Sequence, residues 1–421
     1  MKSSSFLSVN AKALGFFVLS LATTINASEI ARTPSHPYFQ TLNPNVGASL
    51  NTIAESCAAH DLTIHAKYKN FKKSGTKKFL KSGPFNFQNK KFEVMLHVHA
   101  DVKAVPRPLI IVVPGIFSEI SNPYATQLAL PLWNSGYNVA VVQNAWAETF
   151  VSASNFEMGD TQKESDTLLW IISQIKNHFQ QKGILQKTHL LAYSYGAFTS
   201  GNALAADSEK SNSLVDGKAL LISPPHDFKT TFSTMNKYLQ QSHSISGRPT
   251  ILSLIQARGR ICKAAKRGVD FSTYFSVEEL QSLELKAQYM IATFMFSKRL
   301  AASARNLESR LEDAQISTND EWKNLFFQSP DFSSYIRAFV PHSAKIFAQQ
   351  VPLSDVLFRR ELTRPGRTLT VVSDNDFINP YAAWRKSGSS RHVINLKQGG
   401  HVTFMFSNWG HSLLKKFYGI Q

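Results

Sequence analysis

One stretch, Leu190-Leu191-Ala192-Tyr193-Ser194-Tyr195-Gly196-Ala197, limits what this chain can fold into more than any other. Thr188 to Tyr193 is an apolar run of the kind a buried strand shows, and the small residues Gly196, Ala197, Ser200, Gly201 and Ala203 begin a helix. Ser194 stands alone at the join. A strand that bends sharply into a helix brings two backbones nearly into contact, so the positions two before and two after the turn residue must be small. Ala192 and Gly196 meet that need, and the bend pushes the serine oxygen out of the end of the sheet. A small-x-Ser-x-small pentapeptide also arises by chance in chains of this length, so the rest of the sequence must supply or withhold its partners.

The flanking sequence alternates strand and helix. Phe92 to Ala100 alternates apolar and polar positions as a half-buried strand does, whereas Leu109 to Val113 is continuously apolar, as a central parallel strand is. Asn138 to Val142, Ala219 to Ile222, Leu369 to Val372 and Val393 to Leu396 read as further strands. Thr161 with Glu164 has the spacing of a capping box, opening a helix whose Leu168, Leu169, Ile171, Ile172 and Ile175 form one stripe. Such alternation predicts an α/β fold with a mostly parallel sheet and helices on both faces. Between Ser223 and Pro365 the strand signal fades and the pattern turns helical, which predicts an inserted helical cap over one end of the sheet rather than one very long loop. The cap is basic from Phe228 to Arg310, with Arg258, Arg260, Lys263, Lys266, Arg267, Lys298, Arg299 and Arg305. It is the expected seat of substrate selection; a solvated outer face is the alternative reading of the charge.

The 421 residues carry 46 Lys and Arg against 29 Asp and Glu, a formal net charge of +17, which favours anionic partners. No zinc-finger spacing or RNA-recognition motif accompanies the charge, so nucleic acid is not expected as a partner, whereas an anionic membrane surface is consistent with it. Lys2 and Lys12 precede the apolar run from Ala13 to Ala22, and Ala27 offers a cleavage point, as in a secretory signal peptide. Export to the periplasm or medium is therefore expected, with an uncleaved anchor as the alternative. Only Cys57 and Cys262 are present, which an oxidising compartment would allow to pair, and they give no support for a zinc site. The expected organisation is a signal peptide (1–27), a Lys-rich extension lying across the domain rather than in its core (28–90), a first core part (91–224), the cap (225–365) and a second core part (366–421).

A serine hydroxyl needs a base to take its proton, an acid to orient that base and donors for the oxyanion. Two late loops supply candidates, Ser373-Asp374-Asn375-Asp376-Phe377-Ile378-Asn379-Pro380 and Gly399-Gly400-His401-Val402-Thr403-Phe404, both at carboxyl ends of strands. His401 is preferred to His392, which begins a strand at the opposite rim. Asp376 is preferred as the acid, with Asp374 and Asp227 as alternatives. The backbone N–H of Tyr195 and, from Pro114-Gly115-Ile116-Phe117, that of Ile116 are the expected oxyanion donors. His97, His99, His226 and His342 read as core or surface residues.

These features together resemble the α/β-hydrolase superfamily. Ser121-Asn122-Pro123-Tyr124, the stretch from Asn155 to Thr161 and the Gly-Gly-His end are similar to the YheT-like hydrolases, although Pro114 stands where those usually carry His. The resemblance spans roughly Phe92 to the C-terminus and implies a serine esterase or lipase acting on a small acyl or lipid ester through Ser194, Asp376 and His401, with no metal or organic cofactor. A serine amidase or peptidase with the same triad, and a non-catalytic envelope binding protein of this fold, are the alternatives.

Overall fold

The computed structural model describes residues 48–59, 66–80, 83–99, 105–243, 249–266, 271–313, 323, 324, 326, 331–378, 384, 392–396 and 399–420. The signal-peptide segment and Asn379-Pro380 lie outside them. An eight-stranded sheet organises the described chain: β1 (Gly75–Leu80), β2 (Phe92–His97), β3 (Arg107–Val113), β4 (Asn138–Val142), β5 (Leu185–Tyr193), β6 (Ala219–Ile222), β7 (Thr368–Ser373) and β8 (Val393–Leu396). Their order is β1-β2-β4-β3-β5-β6-β7-β8, antiparallel at β1/β2 and β2/β4 and parallel elsewhere.

Burial explains why the central strands read as unbroken apolar runs. Ile110 and Val112 face one layer with Leu191, Leu220 and Val371, while Leu109, Ile111 and Val113 face the other with Leu190, Ala192 and Leu221. Both sides are covered, so both sets of alternate residues must be apolar. The helices are α1 (Ala48–Ala59), α2 (Ala66–Ser74), α3 (Pro123–Asn134), α4 (Glu148–Ala153), α5 (Thr161–Gln181) and α6 (Tyr195–Ser208) before the cap, and α7 (Phe228–His243), α8 (Ile251–Lys266), α9 (Phe271–Tyr274) and α10 (Val277–Met290) within it. A π-helical segment (Ile291–Ser297) leads from α10 into α11 (Lys298–Asp313), followed by α12 (Phe332–Phe339), α13 (Pro341–Gln349), α14 (Leu353–Thr363) and, after β8, α15 (Asn408–Tyr418).

Three expectations need correction. The described part of the Lys-rich extension belongs to the core: it contributes β1, paired with β2 along its whole length, and Phe71 of α2 is fully buried against His97. Its helix α1 is bonded to cap helix α8 through the disulfide Cys57–Cys262. At the other end, α14 is a core helix and not cap. Its Leu353 packs against Gly201 of α6, and its buried Arg360 donates to the Leu204 carbonyl at 2.7 Å and to Thr368 Oγ1 at 2.8 Å, joining α6 to β7. Finally, Thr161 and Glu164 form no capping box. Asp160 caps α5, accepting from the Lys163 N–H at 3.2 Å, and Glu164 is turned into the interior. No described helix is long and apolar enough to cross a membrane.

Candidate active site

The join of β5 and α6 has the geometry its small residues foretell. Ser194 has φ 54° and ψ −133°, a conformation side chains rarely adopt. A Cβ on Gly196 would lie 2.1 Å from the Pro114 carbonyl oxygen, so only glycine fits there. The Ser194 N–H donates to the Ile222 carbonyl at 2.8 Å, tying the strained residue to the end of β6. Gly115 passes close enough that a Cβ on it would stand 3.4 Å from Ser194 Oγ, which brings the Gly115-Ile116-Phe117 turn beside the serine. Asn144 holds that turn from behind, donating from Nδ2 to the Pro114 carbonyl at 3.0 Å.

The candidate base and acid lie on the two late loops. His401 Nε2 lies 2.9 Å from Ser194 Oγ, and His401 Nδ1 lies 2.8 Å from Asp376 Oδ2. An ionised carboxylate can only accept, so the ring places its proton on Nδ1 and leaves Nε2 free to accept from the serine hydroxyl. The other Asp376 oxygen accepts from the Ile378 N–H at 2.9 Å, which fixes the carboxylate's orientation. All three side chains are buried.

The competing candidates are engaged elsewhere. Asp374 Oδ1 accepts from Asn395 Nδ2 at 2.9 Å, and Asp227 pairs with His226 at 3.1 Å while accepting from the Thr230 N–H at the start of α7. His392 pairs with Glu361 at 3.0 Å. Tyr195 opens α6, so its N–H belongs to the first turn, where helix geometry provides no partner, and Ile116 lines the same cavity as Ser194.

Several residues that build the site carry no signal in the sequence. Asn375 sits between the two aspartates and accepts from the N–H groups of Gly399 at 2.8 Å and Gly400 at 2.9 Å, so one side chain couples the acid loop to the histidine loop. Ser223 Oγ accepts from the Val402 N–H at 3.2 Å, and Thr52 Oγ1, on α1, accepts from the His401 N–H at 3.3 Å. Below the elbow, Glu164 accepts from the Tyr195 hydroxyl at 2.7 Å, the Gly159 N–H at 2.7 Å and Thr199 Oγ1 at 3.4 Å. Complete burial nevertheless pushes its carboxyl up to about 7, the hydrogen bonds only partly opposing the loss of water.

Ser194 and His401 open into a cavity of about 500 Å³. Its walls come from α1, the turn at Ile116, the π-helical segment of the cap, Ile378 of the acid loop and Phe406. In a π-helix residues five apart share a face, which is how both Ile291 and Phe296 reach it. No group of three or more His, Cys, Asp or Glu that could hold a metal occurs among the described residues.

Strand order, the elbow after β5, the aspartate after β7 and the histidine after β8 make this an α/β-hydrolase fold. No protein-family model matches the chain, and no curated protein matches it either. Among solved structures it is similar to the Pyrococcus furiosus esterase Pf2001, at 11% identity and a TM-score of 0.43, over 82% of this chain and 90% of that one. Naproxen esterase (carboxylesterase NP) from Bacillus subtilis aligns at 14% identity and a TM-score of 0.43, over 84% and 96%. A fungal esterase from Rhizomucor miehei aligns at 10% identity and a TM-score of 0.40, over 90% and 98%. Likeness at this level says nothing of chemistry, which has to be read from the site's own atoms.

Proposed function

We propose that this chain is an exported serine hydrolase that cleaves carboxylic esters, acyl or lipid esters in particular, through an acyl-enzyme on Ser194. One observation carries the proposal: the unbroken hydrogen-bonded series from Ser194 Oγ through both nitrogens of His401 to Asp376, opening on a largely apolar cavity. His401 takes the serine proton as Oγ attacks the ester carbonyl, and Asp376 holds the ring's tautomer and offsets the imidazolium charge that forms. The backbone N–H groups of Ile116 and Tyr195 receive the developing oxyanion, each such donor contributing about 3–4 kcal/mol toward the transition state. His401 then returns its proton to the departing alkoxide. A water enters, gives a proton to His401, and attacks the acyl carbon to release the acid and restore Ser194.

Export is proposed from the charged and apolar pattern of residues 1–27, and the Cys57–Cys262 bond is in keeping with an oxidising compartment. Contact with an anionic membrane surface is proposed from the net charge of +17. Placement in the YheT-like branch is proposed on Ser121 to Tyr124, Asn155 to Thr161 and Gly399-Gly400-His401.

A fluorophosphonate probe tests the reaction class. It should label the wild-type protein and fail on Ser194→Ala, and the wild type should turn over p-nitrophenyl acyl esters faster than the matching anilides. Equal labelling of the two proteins would end the claim for Ser194. Preference for anilides would turn the reading toward an amidase.

A further inference from the structure

The cavity beside Ser194 has a polarity that an ordinary acyl site does not need. Its walls are mostly apolar, with Ile53, Phe117, Met290, Ile291, Phe296 and Ile378 among them, yet two arginines, Arg258 of α8 and Arg299 of α11, line it as well. No Asp or Glu is among its described lining residues. Neither arginine has an acidic partner among the described residues. The contrast with a neighbour on the same helix is direct, since Arg260 is paired with Glu279 at 2.6 Å.

Both arginines stand on fixed supports. Arg258 lies one helical turn before Cys262, whose bond to Cys57 joins α8 to α1, and Ile53 lies one turn before Cys57 on the facing helix. Arg258 and Ile53 thus reach the cavity from the two sides of one covalent link. Arg299 follows the π-helical segment whose Ile291 and Phe296 line the apolar wall. Both side chains are exposed, and guanidinium groups bind phosphate and carboxylate through paired N–H donors in a fixed fork.

We propose that Arg258 and Arg299 form an anion subsite in the cavity of Ser194, selecting esters that carry a phosphate or carboxylate together with an apolar chain. This rests on the hydrolase reading above. The anion takes no part in bond making or breaking; the guanidinium pair holds it while the ester carbonyl lies at Ser194. It also gives the basic cap a defined task at two of its positions.

The experiment compares charged and neutral substrates within each protein, so that a general loss of activity cancels. One pair is the p-nitrophenyl monoester of an α,ω-dicarboxylic acid against the p-nitrophenyl ester of the monocarboxylic acid of equal length. The other is a 1-monoacylglycerol 3-phosphate against the 1-monoacylglycerol. In the wild type the charged member of at least one pair should be favoured in kcat/KM by about tenfold or more, the range a charge-assisted hydrogen bond supplies. Which pair responds distinguishes carboxylate from phosphate. The Arg258→Gln/Arg299→Gln double variant should bring that ratio close to one, and Arg258→Lys/Arg299→Lys should restore part of it.

A wild-type ratio near one in both pairs, or a ratio unchanged in the Gln variant, overturns the subsite while leaving the hydrolase reading intact. If no ester is turned over and no probe labels Ser194, the hydrolase reading is what has failed. Calorimetric binding of octyl phosphate, octanoate and octanol to the wild type then decides the subsite. Anion binding lost in the Gln variant supports it, and no preference for either anion over octanol overturns it.

Discussion

The Tyr195 hydroxyl donates to the Glu164 carboxylate at 2.7 Å, so the residue directly after Ser194 is held from below by a buried acid. Its backbone N–H is the proposed oxyanion donor, and its side chain is anchored to a group that burial has shifted from 4.5 to about 7. Between those two values the folded protein holds a proton that the unfolded chain has lost. The associated stability is therefore complete at low pH and is lost as pH rises through about 7. Denaturant unfolding at pH 5 and pH 8 should show the wild type losing on the order of 2–3 kcal/mol relative to Glu164→Gln over that interval. The variant costs an acceptor at every pH, but it removes the slope. Parallel stability curves would remove Glu164 as the titrating group.

Asp376 and Asp374 are two residues apart, and only the first meets His401. Asp376→Asn leaves the fold intact but favours the wrong imidazole tautomer, and kcat should fall by about 10³–10⁴. Asp374→Asn keeps an acceptor for Asn395 and should stay within about twofold of wild type, an exposed substitution of this kind being worth little. Comparable losses in both would mean that the acid has been misassigned.

Asn375 is a positioning residue, acting on the histidine loop through the N–H groups of Gly399 and Gly400. Asn375→Ala leaves those donors without their acceptor, for a stability loss of about 1–3 kcal/mol. It should also lower kcat at saturating ester while KM stays near the wild-type value, because the substrate walls do not touch it. A change in KM alone would contradict this role.

Disulfide removal should be felt at two levels. Cys57→Ser/Cys262→Ser, or reduction of the wild type, should lower the unfolding free energy by about 2–4 kcal/mol, read from denaturant melts. Ile53 and Arg258 stand one turn from the bridge, so KM should rise as well. Loss of stability with unaltered KM would show that the cavity wall is held by packing alone.

Strands buried on both faces were readable because burial leaves its mark in every residue, as in Leu109 to Val113 and Leu190 to Tyr193. The elbow was readable because backbone contact demands Gly196, and the meeting of Ser194, Asp376 and His401 because each follows the carboxyl end of a parallel strand, β5, β7 and β8. Edge strand β1 was missed for the opposite reason. Its Thr76 and Lys77 are exposed, Lys77 pairs with Glu93 of β2 at 2.7 Å, Lys78 is half-buried beside His178, and a strand with one neighbour needs little apolar sequence. Glu164 misled because its spacing from Thr161 imitates a cap, while tertiary burial gave it other partners. The place of α1 beside α8 and the presence of both Arg258 and Arg299 along one cavity depend on contacts between distant segments, which no local pattern encodes.

Thr52 supports the backbone of His401 from a helix near the start of the described chain, and that helix is bonded across a sequence separation of 205 residues to Cys262. The parts of the site therefore become available on very different schedules. A chain emerging from its N-terminus carries Ser194 long before His401 has been made, and α1, synthesised early, finds its final partners only when the cap and the last loop exist. On the proposed reading, the serine stays without its base until the last loop of the chain has been made.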